Sequence, residues 1–430
     1  MKRLMTTAGL AALGAASVAP AFAQDAMINQ KPWSIGASLR GFYDDNYFTY
    51  PRQLRDRPGF DPNTFGFDVS PNAAINLKRE QTTFGLSYLY TFRYFIDRER
   101  PKDDQSHQIN LKLSHSFNER FSLDLKDSFV IAQEPAVIDP AFITYPARSD
   151  GNNIRNNGGI QLNAAVMDNF SVDAGYNNTF YDYDQDATDI AGPPLNGIGS
   201  RSATLDRIEH DFYAHGNYQV LPKTTISLGY RFDLVDYTSS DAFIPGWTGS
   251  ARDNRSHIVT LGVKQHINPQ LDVSAEAGAQ FVQYDNHTLF DDDMSPYGAA
   301  SIRWAYMQGS SLNAGVKHMR VPTDVRIVDG KANADQEATL VWVSVNQAIT
   351  SKITAIVMGQ YQYSKYGESA AGGGTTDVVD HLFFLGATVA YQFNPHIAAE
   401  AGYTYDKLDS DIDLRSYSRN RIYVGTRLSY

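Results

Sequence analysis

Apolar side chains recur at every second position along most of this chain, and the rhythm holds to the last residue. The final 10 residues, Arg421-Ile422-Tyr423-Val424-Gly425-Thr426-Arg427-Leu428-Ser429-Tyr430, alternate polar and apolar without a break. A strand projects successive side chains to opposite faces, so such a segment has one greasy face and one wet face. Residues 224–235 set Ile226, Leu228, Tyr230, Phe232 and Leu234 against Thr225, Ser227, Gly229, Arg231 and Asp233. Residues 271–281 and 397–405 repeat the pattern, with Asp272, Ser274 and Glu276 in the first and Glu400 in the second on the polar side. Strands 207–220 and 335–348 alternate less cleanly, and the sequence leaves their facing open. A chain built almost wholly of such strands must place one very large apolar surface somewhere.

The connections say how the strands are joined. Short turn signals stand at 78–80, 118–120, 167–169, 221–223, 268–270, 308–310, 350–352 and 394–396, rich in the Asn, Asp, Gly and Pro that tight turns accept. Between them lie long polar stretches at 48–65, 97–106, 134–153, 184–206, 238–254, 285–294, 323–334, 367–377 and 409–416. Nine long loops alternating with eight short turns link 18 strands in one all-β domain, with 16 as the alternative count. An even strand number, with short turns at one end and long loops at the other, is the pattern of a transmembrane antiparallel up-and-down β-barrel. A soluble sandwich also alternates, but it usually has seven to nine strands and does not segregate its connections by length.

The N-terminus gives the destination. Lys2 and Arg3, an apolar stretch from Leu4 to Val18, and Ala21-Phe22-Ala23 make a secretory signal peptide over 1–23. That stretch is short and rich in Ala and Gly, which disfavours a membrane anchor. Residues 24–32 are expected as a short periplasmic segment and 33–430 as the barrel, in the outer membrane of a Gram-negative bacterium. The mean hydropathy of −0.37 fits this, because strands with one lipid face and one wet face average to a polar value. A net charge of −11 argues against nucleic acid as a partner, and the absence of cysteine rules out disulfide staples.

Aromatic residues are expected at both bilayer–water boundaries. On the long-loop side the sequence offers Tyr90, Phe92 and Tyr94, then Phe180, Tyr181 and Tyr183, then Tyr361, Tyr363 and Tyr366. On the short-turn side it offers Trp33, Phe117, Phe121, Phe170 and Phe393. Val424, Thr426, Leu428 and Tyr430 are expected to reach lipid and to serve as the signal read by the barrel insertion machinery. Lipid and lipopolysaccharide are the surroundings so implied.

About 18 strands enclose an aqueous channel rather than a side-chain-filled interior. The face expected to line it carries the cations Arg40, Arg93, Lys112, Lys126, Arg231, Lys264, Arg303, Lys317, Arg421 and Arg427. The anions there include Asp124, Asp173, Asp233, Asp272, Glu276 and Glu400. Charges at membrane depth need water or partners, so the lumen is wet, and for any single residue a bracing ion pair outweighs a substrate role. Mixed signs should largely cancel beyond a Debye length of about 8 Å. Acidic loops, at Asp291-Asp292-Asp293, between Asp184 and Asp189, and at Asp409, Asp411 and Asp413, favour cations mildly at the mouth; solvated loops outweigh divalent-cation bridging as their explanation. Loops 134–153 and 184–206 are the longest and are expected to fold inward. No catalytic residue, metal site or cofactor is expected: there is no GxSxG element or zinc spacing, and His210 and His215 fall on opposite faces of a strand.

Three segments resemble the Putative beta-barrel porin 2 family. They are Arg40-Gly41-Phe42-Tyr43-Asp44-Asp45-Asn46-Tyr47; the hairpin from Tyr218 through Leu221-Pro222-Lys223-Thr224 to Tyr230-Arg231-Phe232 and Asp236-Tyr237; and Tyr417-Ser418-Arg419-Asn420-Arg421. The resemblance implies a barrel of about this strand number and carries no functional residue. Some similar proteins accompany exopolysaccharide-export machinery, which implies a pore for a surface polysaccharide above a periplasmic polysaccharide-export protein. A general or solute-specific uptake porin is the alternative, and a structural or adhesive barrel the second.

Overall fold

The computed structural model describes residues 32–55, 61–98, 101–133, 151–192, 196–367, 370–371 and 378–430. The expected signal peptide, nearly all of the expected periplasmic segment and most of loop 134–153 lie outside the described residues. Eighteen strands form one antiparallel sheet. They are β1 (Trp33–Asp44), β2 (Thr64–Lys78), β3 (Thr82–Phe95), β4 (Asp103–Ser116), β5 (Phe121–Ala132), β6 (Asn153–Met167), β7 (Phe170–Tyr183), β8 (Arg207–Leu221) and β9 (Thr224–Tyr237). The second half comprises β10 (Asn254–Asn268), β11 (Leu271–Tyr284), β12 (Asp293–Met307), β13 (Ser310–Pro322), β14 (Asp335–Ala348), β15 (Ile353–Tyr366), β16 (Val379–Asn394), β17 (Ile397–Ser410) and β18 (Tyr417–Ser429). The strand count is 18, not 16, and each short turn falls where the sequence placed it.

Each strand pairs with its neighbours in sequence, and β1 closes the ring on β18, from Gly36 opposite Ser429 to Asp44 opposite Arg421. Closure leaves no edge to face lipid, where unpaired backbone groups would cost several kcal/mol each. Tyr430 extends the seam: its N–H donates to the Ile35 carbonyl at 2.8 Å, and the Ile35 N–H donates back at 3.2 Å. Its ring packs 5.9 Å from Trp33 and 5.8 Å from His396.

The outer wall is apolar. Leu261 is 68% exposed, Val424 62% and Leu228 60%, which is tenable only against lipid. The register settles the two irregular strands. In β8, Asp211 lies opposite the inward Asp233, so Tyr213, His215 and Asn217 also face the lumen while His210 and Phe212 face outward. In β14, Leu340 and Trp342 face inward, opposite Lys317 and Gly315. Both faces of β14 are therefore apolar at this height, which hid its alternation. The Trp342 ring lies over Gly315, and three more inward rings cover the glycine directly opposite: Phe42 over Gly66, Tyr213 over Gly175, and Tyr423 over Gly402. An aromatic ring laid across a strand glycine shields its exposed backbone.

The long-loop girdle needs correction. Tyr90, Phe92, Tyr94, Phe180, Tyr361 and Tyr363 share the outward parity, but Tyr181, Tyr183 and Tyr366 have the opposite parity and pack inward beneath the loops. Aromatic composition at a strand end does not by itself distinguish a lipid girdle from a lumen cap. The outward belt gains histidines instead. Tyr88 with His107, Tyr176 with His210, Tyr230 with His257 and Tyr361 with His381 form the same diagonal contact on four hairpins, hydroxyl to Nδ1 at 2.7–2.9 Å. Tyr403 donates to Asn420 in the same relation at 2.6 Å. These pairs give an interfacial ring both an apolar body and a satisfied polar tip.

Candidate channel wall and mouth

The residues expected in the lumen share the inward parity, and many of them are paired across the wall. Arg40 Nε donates to Glu400 at 2.5 Å, across 360 residues of sequence and the β17–β18–β1 seam. Arg40 also lies 5.0 Å from the Tyr423 ring centroid. Arg93 is the cross-strand partner of Asp68, itself opposite Arg40. Arg231 Nε stands 3.4 Å from Asp211, next to Asp233, and Tyr297 donates to Glu276 at 2.8 Å. Near the short turns, His215 and Asn217 both hold Asp173, Ser114 and Asn163 hold Asp124, and His266 holds Asp272. Near the mouth, Arg421 and Arg419 both bind the buried Asp44, at 2.9 and 2.5 Å. Lys112 faces Lys126 directly across two strands. Lys112, Lys264 and Arg303 have no side-chain partner among the described residues.

Sequence reasoning missed how the long loops meet over the mouth. Loop 323–334, rooted between β13 and β14, is the meeting point. The Thr323 carbonyl accepts from Arg252, in the loop between β9 and β10. The adjacent Asp324 is gripped by Arg415, in the loop between β17 and β18, with Nη1 to Oδ2 at 2.9 Å and Nη2 to Oδ1 at 2.7 Å. Those two anchoring loops are rooted eight strands apart on an 18-strand ring, nearly as far as the ring permits. Two consecutive residues therefore join opposite sides of the rim.

Further contacts tie the span down. Arg252 is fully buried, donates to the carbonyls of Ala203 and Thr204, and lies 3.8 Å from the Tyr237 ring and 4.1 Å from Phe243. Burial pulls its guanidinium down to about 10. Arg415 Nε also donates to Asp380 at 2.8 Å, and Asp380 accepts from Tyr366. Burial works against the charge of Arg415, but Asp324, Tyr366 and Asp380 together raise its pKa well above the usual value. Loop 285–292 joins through a bridge from Phe290 to Ala370, and Phe243, Val282, Tyr284, Phe290 and Ala334 form a small apolar core beneath it. Of the loops expected to fold inward, 184–206 takes part through its helix Arg201–Leu205. The principal span, 323–334, is shorter and was not expected. Its signal was present as Pro322-Thr323-Asp324, a turn sequence whose reach sequence cannot give.

Two carboxyl groups under this roof cap strand ends. Asp206 accepts the Tyr183 N–H at 2.7 Å and Asp253 accepts the Tyr237 N–H at 2.8 Å. Burial raises each to about 6, helped by Asp182 and Asp241 at the first and by Asp236 and Asp285 at the second.

Comparison with known proteins places this architecture. No curated protein matches the sequence. Among solved structures, a BenF-like porin from Pseudomonas fluorescens Pf-5 is 12% identical, with a TM-score of 0.45 over 93% of this chain and 99% of that one. Pseudomonas aeruginosa OpdK, solved with vanillate, gives the same four values. Acinetobacter baumannii OccAB4 is 12% identical, with a TM-score of 0.43 over 94% of this chain and 99% of that one. The sequence pattern of one family matches residues 165–430, from the end of β6 to the last residue. The chain is an outer-membrane β-barrel of the porin type and belongs to the Putative beta-barrel porin 2 family.

Proposed function

We propose that this barrel admits small solutes, the uptake reading, rather than exporting a surface polysaccharide. The observation that carries this is the bridged mouth: Thr323 and Asp324 join loops from opposite sides of the rim. A polymer leaving the cell needs a continuous bore, and a span held by a bidentate ion pair divides the opening into smaller passages. Family membership supports a pore and is neutral about direction. The wall is wet, carries both signs of charge, and keeps Lys112, Lys264 and Arg303 available to solutes in transit. Placement of the lumen charges supports a bracing role for Arg40, Glu400, Arg231 and Arg421, and a solute-facing role for the three cations that have no partner among the described residues.

The deciding experiment compares a deletion strain with its parent. Slower uptake of small charged solutes with unchanged surface polysaccharide is the expected result. Normal uptake with lost surface polysaccharide would restore the export reading and, with it, a periplasmic export protein as partner. In liposome swelling assays the purified barrel should pass solutes of a few hundred daltons and retain oligosaccharides.

A further inference from the structure

The mouth span walls a cavity of about 370 Å³. Phe48, Tyr50 and Tyr417 line it, together with Val325 and Leu408. Arg201 and Arg326, from two different loops, also line it. The cavity also meets Asp324 and Arg415, but Arg415 is engaged by Asp324 and by Asp380 behind it, so these groups are already committed to one another. Arg326 donates only to the Phe243 carbonyl, at 3.0 Å, and Arg201 offers its guanidinium with no partner among the described residues. No carboxylate among the described residues pairs with either. Two like charges at a half-enclosed wall repel, and burial together with Arg201 lowers the Arg326 pKa from its usual value.

The backbone is shaped to keep Arg326 there. Gly199 has φ +78°, and a β-carbon built on it would lie 2.0 Å from Arg326 Cζ. The loop thus has a glycine where the guanidinium packs closely against the chain. Two half-buried cations with no carboxylate partner among the described residues favour an anion between them. Guanidinium forks match carboxylates in geometry, and the aromatic side chains in the lining accept a flat apolar body. The volume lies at the small end of ligand sites, enough for a single substituted ring.

We infer that this cavity is a binding site at the channel mouth for a small carboxylate carrying an aromatic or similarly flat apolar body, held by Arg201 and Arg326. The proposal deepens the uptake reading and rests on it for its purpose: the site would capture such anions before they pass the wall. It also reverses the local sign expected from the acidic loops, because the entrance at this point is cationic.

The test uses the full barrel in planar bilayers, with sodium benzoate added on the long-loop side. Benzoate should interrupt the ionic current in a saturable way, and acetate and benzyl alcohol should do so far more weakly. Arg201→Gln and Arg326→Gln should each raise the half-blocking concentration on the order of tenfold, the loss of one charge-assisted contact. Gly199→Ala should act in the same direction by displacing Arg326. Arg120→Gln, on a short turn at the far end, controls for net charge and should leave the block unchanged. Heat-modifiable migration checks that each variant is folded. Equal block in wild type and in the double arginine variant, or equal potency of acetate or benzyl alcohol, would overturn the assignment. Benzoate block that depends on the arginines without benzoate passage would leave the site standing and remove the uptake reading. Benzoate passage indifferent to both arginines would do the reverse.

Discussion

Arg415→Ala tests whether the mouth span is held shut by its ion pair. The Asp324 side chain is only 1% exposed and would lose two short hydrogen bonds, while Asp380 would keep its contact with Tyr366. Removing one partner of a buried pair costs roughly 3–5 kcal/mol, chiefly because the other charge is left behind. Arg415 is 17% exposed, so water can partly replace it, and about 3 kcal/mol is the figure to expect. That amount changes the ratio of open to closed span about 150-fold. Single-channel recordings should show higher mean conductance and frequent flicker where the parent is quiet. The double variant Arg415→Ala with Asp324→Asn removes the stranded charge and should be quieter than the single one. The barrel wall lies outside this change, so heat-modifiable migration should be retained. A folded Arg415→Ala channel with parental conductance and noise would refute the latch. So would a double variant at least as open as the single one.

Four other outcomes follow from the same geometry. Asp206 and Asp253 titrate near 6 in the folded loops, above the ordinary carboxylate range, so the folded roof binds protons that the opened loops release. Its stability should rise as pH falls from about 7 through 6 toward 4, and channel noise should diminish over the same window; Asp206→Asn with Asp253→Asn should be quiet at pH 7 and flat with pH. Deleting Tyr430 removes both backbone bonds to Ile35 and the contacts with Trp33 and His396, so less barrel should insert while conductance per inserted channel stays the same. Lys112→Glu reverses a lumen charge that has no side-chain partner among the described residues and lies opposite Lys126, and reversal potentials under a salt gradient should move toward cations. Gly402→Ala puts a methyl 2.3 Å from the Tyr423 ring and should destabilise the folded barrel by about 1–3 kcal/mol, read as a lower heat-modification temperature.

Strand number and turn positions were legible because each depends only on period two and on local turn chemistry. One face had to be apolar and the other wet, so the parity of a residue fixed its side. The rule failed where a residue's environment is set by what covers it. Tyr181, Tyr183 and Tyr366 read as girdle aromatics, yet their parity turns them inward, and only the loops above make an inward aromatic favourable. Leu340 and Trp342 hid the alternation of β14 for the same reason: the lumen there is packed with rings over glycines, so its polarity is not uniform.

The pairing state of a lumen charge lies further beyond local reading. Arg40 and Glu400 are 360 residues apart, and they meet only because the ring closes in one register, with Arg40 opposite Gly425 and Gly425 opposite Glu400. A shift of one residue at that seam would send Arg40 to lipid, so the ion pair depends on closure and cannot be read from either strand. The mouth is a stronger case. Thr323 and Asp324 lie in a loop of ordinary composition, and their partners Arg252 and Arg415 belong to loops anchored eight strands apart. What makes those two residues a span is the diameter of the barrel, which is set by strand number. The proposed function therefore depends on a distance that the whole sheet determines. The same meeting of loops brings Arg201 and Arg326 to one cavity, where no carboxylate among the described residues pairs with either.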